Sequence, residues 1–175
     1  MPLRSIEILR AEHRAIEKAL VELEGLIDDF LTDDEVPEAS RQAFHRLADF
    51  LAHDLLIHIM REDVGLLPSV EARLSETDAR LLDDHEEITR SYHGLLAGIR
   101  ELGRQPATAD PPAIRIRDFG RALIEELREH QCREERTLFP LVENLLTEQD
   151  DEQIVARFKD IAARPQAFFD TRHLA

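Results

Sequence analysis

Six residues stand out by type and spacing: His13, His58, Glu62, His85, His130 and Glu134. Residues four apart in an α-helix lie about 40° around and about 6 Å along the axis. His58 and Glu62 therefore share a helix face, as do His130 and Glu134. A shift of 72 residues lays one pair on the other, and also lays His13 on His85 and Pro68 on Pro140. Leu9/Leu81, Ile16/Ile88, Leu23/Leu95, Ile27/Ile99, Leu51/Leu123 and Leu55/Leu127 follow the same shift. Between residues 58 and 71, 7 of 14 positions are identical to their partners, where average usage gives about one. The period is longer than a solenoid unit, so the repeat reads as two fused helical hairpins. A site on their pseudo-twofold axis would receive the same side chains twice.

The face that carries these groups is the apolar one. His58 follows Leu55 and Leu51, and His130 follows Leu127 and Leu123 in the same register. His13 lies between Leu9 and Ile16, and His85 between Leu81 and Ile88. Four imidazoles and two carboxylates thus converge in an apolar interior, where an unpaired carboxylate is costly. One explanation is a polar core satisfied by His–Glu hydrogen bonds without metal. The other is a metal site, which the duplicated pattern favours. Imidazole and carboxylate without thiolate suit non-haem iron, with manganese or zinc as competitors. A bis-histidine haem would leave the duplicated glutamates unexplained.

The elements that must position these groups are long amphipathic helices. Ser5 is placed to cap a first helix with Ile6, Leu9, Ile16, Leu20, Leu23 and Ile27 inward, fading at Leu31. Pro37 opens a second, carrying Phe44, Leu47, Leu51, Leu55 and Leu66, that should stop near Pro68. The third runs from Ser75 or Thr77 to Leu102 with Leu81, Leu82, Ile88, Leu95 and Ile99 inward. After a loop at 103–112 the fourth covers 113–146, with Pro140 set to kink or end it. A fifth, shorter helix spans 150–163. Short connections make neighbours antiparallel. The expected fold is all-α, an antiparallel up-down-up-down four-helix bundle over residues 1–148, with a helix and tail at 149–175 packing on it.

Composition narrows the function classes. The 175 residues carry a net charge of −15 and are 43% hydrophobic, enough for a sizeable core. That charge disfavours nucleic acid and anionic membrane surfaces as partners. Only Cys132 is present, so neither an internal disulfide nor a CxxC site can form. Met1–Arg10 carry charges within their apolar run, and no uncharged run approaches the roughly 18 residues of a spanning helix. A soluble, cytoplasmic protein is expected. No hydrolase triad, phosphate loop or dinucleotide fingerprint is present.

His13, then His58-Ile-Met-Arg-Glu62, then His85, then His130-Gln-Cys-Arg-Glu134 resembles the hemerythrin-like HHE cation-binding domains. The tails Leu66-Leu67-Pro68 and Leu138-Phe139-Pro140 are similar to that family too, and the resemblance covers residues 5–146. It implies a bundle holding two non-haem irons with an oxo or hydroxo bridge, Glu62 and Glu134 bridging and the four histidines as terminal ligands. Two departures separate this chain from the oxygen-carrying members. Thr89 stands where they have the second His of an HxxxH, and His-x3-Glu replaces their terminal His-x4-Asp. Two six-coordinate irons need twelve bonds. The six side chains and one bridge supply ten, so two positions stay open unless Glu17 or Tyr92 fills them, and simple oxygen storage is not the first choice.

Each ligand histidine is expected to give its other N–H to a carboxylate or carbonyl. His53 falls on a flank, His45, His93 and His173 on the surface, and Cys132 points away from the site as a packed or inert thiol. The runs Asp28-Asp29, Asp33-Asp34-Glu35 and Asp83-Asp84 read as solvated charges. The leading function is a di-iron protein that binds, senses or responds to oxygen, peroxide or nitric oxide, or handles iron. Its partner is a small diatomic or peroxide ligand, with a homo-oligomer or a separate signalling partner left open. The alternatives are a di-iron enzyme that turns over peroxide or oxygen, and a metal-free helical interaction module.

Overall fold

Among the described residues, apolar side chains at three- and four-residue intervals wind the chain into five helices. The computed structural model describes residues 3–30, 38–73, 76–102 and 110–165, and for Phe30, Ala72, 76–83 and 110–111 only the backbone. Helix α1, Arg4–Phe30, has 27 residues, about 40 Å at 1.5 Å per residue. Helix α2 covers 38–66 and passes through short 3₁₀ turns, Leu67–Ser69 and Glu71–Arg73. Helix α3 is Glu76–Leu102, α4 covers 110–145, and α5 is Glu148–Ala163. Contacts run α1 to α2, α2 to α3, α3 to α4 and α4 back to α1, the closed ring of an up-down-up-down four-helix bundle. Helix α5 lies across α1 and the end of α2. No strand occurs among the described residues, and no helix there is long and apolar enough to cross a membrane.

The helix ends depart from the sequence expectation in instructive ways. Ser5 does not cap α1: the helix begins at Arg4, and the cap comes from Asp151 of α5. The Asp151 carboxylate accepts from the backbone N–H groups of Arg4 at 2.8 Å and Ser5 at 3.0 Å, and from the Ser5 hydroxyl. These are N–H groups that a helix cannot satisfy internally. Helix α4 begins at Asp110, not Ala113, with Pro111 and Pro112 in the first turn where a missing N–H is harmless. Helix α5 starts two residues earlier than expected, because Thr147 and Asp150 form a reciprocal capping box. Leu31, Pro37, the run at 33–35, His173 and the side chains of Leu81 and Leu82 lie outside the described residues.

Neither α2 nor α4 is a uniform α-helix. Arg61–Leu66 and Glu134–Leu138 are π-helical turns, as is Leu51–Leu55. The Leu67 N–H donates to the Glu62 carbonyl and the Phe139 N–H to the Glu134 carbonyl, both spanning five residues. A proline follows immediately in each case. Its ring would clash with the carbonyl four residues back, and it brings no N–H. A widened turn there relieves both problems. Pro140 therefore neither ends nor sharply breaks α4, which continues to Leu145.

Two apolar layers fill the bundle. The larger holds Leu20, Leu23, Ile27, Phe44, Leu47, Leu51, Leu95, Ile99, Ile116 and Leu123. The smaller, where α5 docks, holds Ile6, Leu9, Leu66, Leu138, Phe139, Val142, Ile154 and Phe158. Each fully buried Leu or Ile contributes about 1.5–3 kcal/mol. On α1, α2 and α4 the candidate site residues fall between the positions that build the two layers.

Candidate metal centre

All six residues singled out by spacing meet in this polar belt. His58, Glu62, His85, His130 and Glu134 are each 1% exposed and His13 is 5% exposed. They form two groups, His13, His58, Glu62 and Glu134 on one side and Glu62, His85 and His130 on the other. Glu62 belongs to both. Its Oε1 lies 3.0 Å from His58 Nε2, and its Oε2 lies 3.1 Å from His85 Nε2 and 3.6 Å from His130 Nε2. Glu134 crosses the same boundary, with Oε2 3.1 Å from His13 Nε2 and 3.3 Å from His130 Nε2.

The outward nitrogens explain the inward ones. His58 Nδ1 meets Glu12 at 3.0 Å, His85 Nδ1 meets Asp63 at 2.7 Å, His13 Nδ1 meets Glu135 at 3.3 Å and His130 Nδ1 meets Asp84 at 3.5 Å. A carboxylate facing Nδ1 holds the proton there, so each neutral ring turns the lone pair of Nε2 inward. Those lone pairs face carboxylate oxygens, which are also acceptors. Accordingly His13 Nε2, His58 Nε2, both Glu62 oxygens and Glu134 Oε2 are buried without a hydrogen-bond partner despite their short separations. Converging acceptors of this kind fit a bound cation.

Protons are the alternative compensation. Burial opposes charge on His13, but a proton on its Nε2 would be shared with Glu134 and Glu62, which pushes it up to about 10. Burial opposes charge on His130 as well, yet the Glu134 charge and the Asp84 contact hold it up to about 8. Burial wins at His58, which falls to about 4. Glu62 is held well below the usual carboxylate range: burial would raise it, and the surrounding imidazoles, His58 first, overcome that. A metal would therefore displace protons on binding.

None of the four outer carboxylates was singled out from sequence as a partner of a histidine, although the repeat carries them. Glu12 and Asp84 are 72 apart, as are Asp63 and Glu135. An acidic residue before each early histidine and after each glutamate was the signal. Arg61 and Arg133, related by the same shift, pair with Glu12 and Asp84, the latter at 2.6 Å. Asp84 is thus not the solvated charge it was expected to be. Cys132 points away from the centre as expected but is exposed, not packed. Glu17 is no ligand, because it pairs with Arg128 at 3.0 Å on the outer face. Tyr92 is buried in the larger apolar layer, which pushes its phenol up to about 12, and the charges it feels are Arg100 and Asp49. His45, His53 and His93 are exposed.

A helical bundle with a doubled His/Glu belt defines a class of protein that binds cations in the bundle core. Residues 4–142 match the family model of the hemerythrin HHE cation binding domain, and the chain belongs to that family. Among curated proteins it is similar to a DNA nickase of Nostoc sp. (strain PCC 7120), 26% identical over 161 residues. That match covers 91% of this chain and 39% of the relative, so the chain spans about two fifths of its length. No solved structure matches the chain at a significant level.

Proposed function

We propose that this protein holds two non-haem irons and binds, senses or responds to oxygen, peroxide or nitric oxide, or handles iron. One observation carries the reading: Glu62 divides its two oxygens between two histidine pairs, with Oε1 on the His58 side and Oε2 on the His85 side. A carboxylate so placed can serve two ions at once. His13 and His58 would hold one and His85 and His130 the other, with Glu62 and Glu134 shared. The nitrogen and oxygen donors, without thiolate, favour iron over softer metals. When bound, such ions supply Lewis acidity and one-electron redox chemistry in a water-poor site. Around them, the chain's own contribution is orientation. Glu12, Asp63, Asp84 and Glu135 fix the imidazole tautomers, and the apolar layers above and below exclude bulk water.

The same geometry favours a reactive centre over a reversible carrier. Among the described residues no further His, Cys, Asp or Glu joins either group. Glu17 and Tyr92 are engaged elsewhere, so two coordination positions remain for small molecules. This supports turnover of peroxide or oxygen as the second reading. The activity in the Nostoc relative's name belongs to a much longer protein, and a net charge of −15 repels a polyanion. Our reading therefore gives this chain no contact with nucleic acid. The test is elemental analysis of anaerobically iron-loaded protein with spectra of its oxidised and reduced forms. Two irons per chain with near-ultraviolet charge-transfer absorption is the expected result, and saturation at one metal would overturn the shared-carboxylate arrangement.

A further inference from the structure

We propose that Arg61, seated on helix α5, locks the His13/His58 position of the centre, so that metal exchanges at the His85/His130 position. This rests on the two-metal reading above and concerns what distinguishes the two positions. The repeat makes Arg61 and Arg133 equivalents, but their surroundings differ. Arg61 pairs with Glu12, donates from Nε to the Phe158 carbonyl at 3.4 Å and lies over the Phe158 ring at 5.6 Å. Its side chain is only 17% exposed. Arg133 pairs with Asp84 while its side chain is 52% exposed.

The difference is passed inward. Glu12, held from outside, meets His58 Nδ1 at 3.0 Å, whereas Asp84 meets His130 Nδ1 at 3.5 Å, the limit of a hydrogen bond. An imidazole with a firmer partner is better oriented and more basic toward a metal. Glu12 and Arg61 also line a cleft of about 220 Å³ between α1, α2 and Ala162 of α5. Finally, the shared Glu134 leans toward the first position, with Oε2 3.1 Å from His13 Nε2 and 3.3 Å from His130 Nε2. One contact runs the other way, His85 Nδ1 to Asp63 at 2.7 Å against His13 Nδ1 to Glu135 at 3.3 Å, but neither of those carboxylates is held by the arginine that divides the two halves.

The test loads the full chain anaerobically with iron(II) and follows iron release to an excess of a chromogenic ferrous chelator. The wild type should release its irons in two equal phases, the slower by about tenfold, the usual scale for a ligand's supporting partner. Arg61→Gln should speed the slow phase by about tenfold until the phases merge, and Arg133→Gln should leave that phase unaltered. His130→Ala should retain one iron that leaves at the slow rate. Amide-exchange protection of Glu148–Ala163 should rise on iron loading in the wild type and not in Arg61→Gln. Should Arg61→Gln fail to fold, Phe158→Leu, which keeps the guanidinium but removes its platform, should still quicken the slow phase. A single release phase in the wild type, or equal effects of the two arginine variants, overturns the proposal while leaving two metals per chain intact. Loading below two irons overturns the two-metal reading instead.

Discussion

The two hairpins present the same groups to the centre in different surroundings. In the first, the π turn that begins just before Glu62 is covered by α5. Gly65 sits so close to Phe158 that an added Cβ would meet Cε1 at 2.5 Å. In the second, Thr137, the repeat partner of Gly65, is exposed. The internal match breaks where one half acquires a neighbour that the other lacks. His58 and His130 show the same divergence, one pushed down to about 4 by burial and the other held up to about 8 by Glu134 and Asp84 against burial. Duplication supplies a matched donor set, and a helix docked on one side makes the two positions unequal.

The largest expected effect comes from the residue the halves share most fully. Glu62→Ala should abolish binding of both ions, because each of its oxygens faces a different histidine pair. Glu134→Ala, whose Oε2 alone touches the site, should lose at least one. Metal content by elemental analysis reads the contrast, and a Glu62→Ala protein with both metals would end the shared-carboxylate assignment. Metal removal comes next. Ligand selective for the folded state stabilises by about 4 kcal/mol at a thousandfold excess over Kd. The apolar layers should keep the metal-free chain helical, so calorimetry should show a folded protein that melts earlier.

A smaller difference tests the α5 contact itself. Gly65→Ala should cost about 1–3 kcal/mol through overpacking against Phe158, whereas Thr137→Ala should stay within about 0.5 kcal/mol of the wild type. Denaturant midpoints for the two variants decide it. Equal values would mean that α5 can move aside freely. Asp151→Ala should cost about 1 kcal/mol, the lower end of the Gly65→Ala range, because it uncaps α1.

The last comparison is one of pH in the metal-free chain. His130 is raised above its unfolded value, so its contribution to stability is complete below about 6.5 and lost as pH rises through about 8. His58 is lowered, so its contribution is complete above about 6.5 and lost as pH falls toward about 4, where the unfolded chain binds a proton that the folded one resists. Imidazole titrations by NMR should place the repeat partners on opposite sides of neutrality. His45→Gln and His93→Gln, which alter exposed rings, should change neither metal content nor the titrations of the buried four.

Much of this was legible in the chain itself. Helical periodicity placed the apolar faces, and the 72-residue shift identified His13, His58, Glu62, His85, His130 and Glu134 as one set. Both signals are local or self-similar, and both survive when nothing is known of how helices approach. The carboxylates behind the imidazoles were present in the same shift, at Glu12 with Asp84 and Asp63 with Glu135. Which imidazole each serves was decided by tertiary structure. Glu12 reaches His58 across 46 positions and Glu135 reaches His13 across 122. Such pairings depend on the rotation and separation of neighbouring helices, and the π turns shift that rotation by inserting backbone that a 3.6-residue period does not count. The α1 cap and the cover over Gly65 are of the same kind. Asp151 and Phe158 lie on a helix whose own sequence marks an apolar face but not the half on which it docks, because burial is favourable wherever a matching apolar surface is offered.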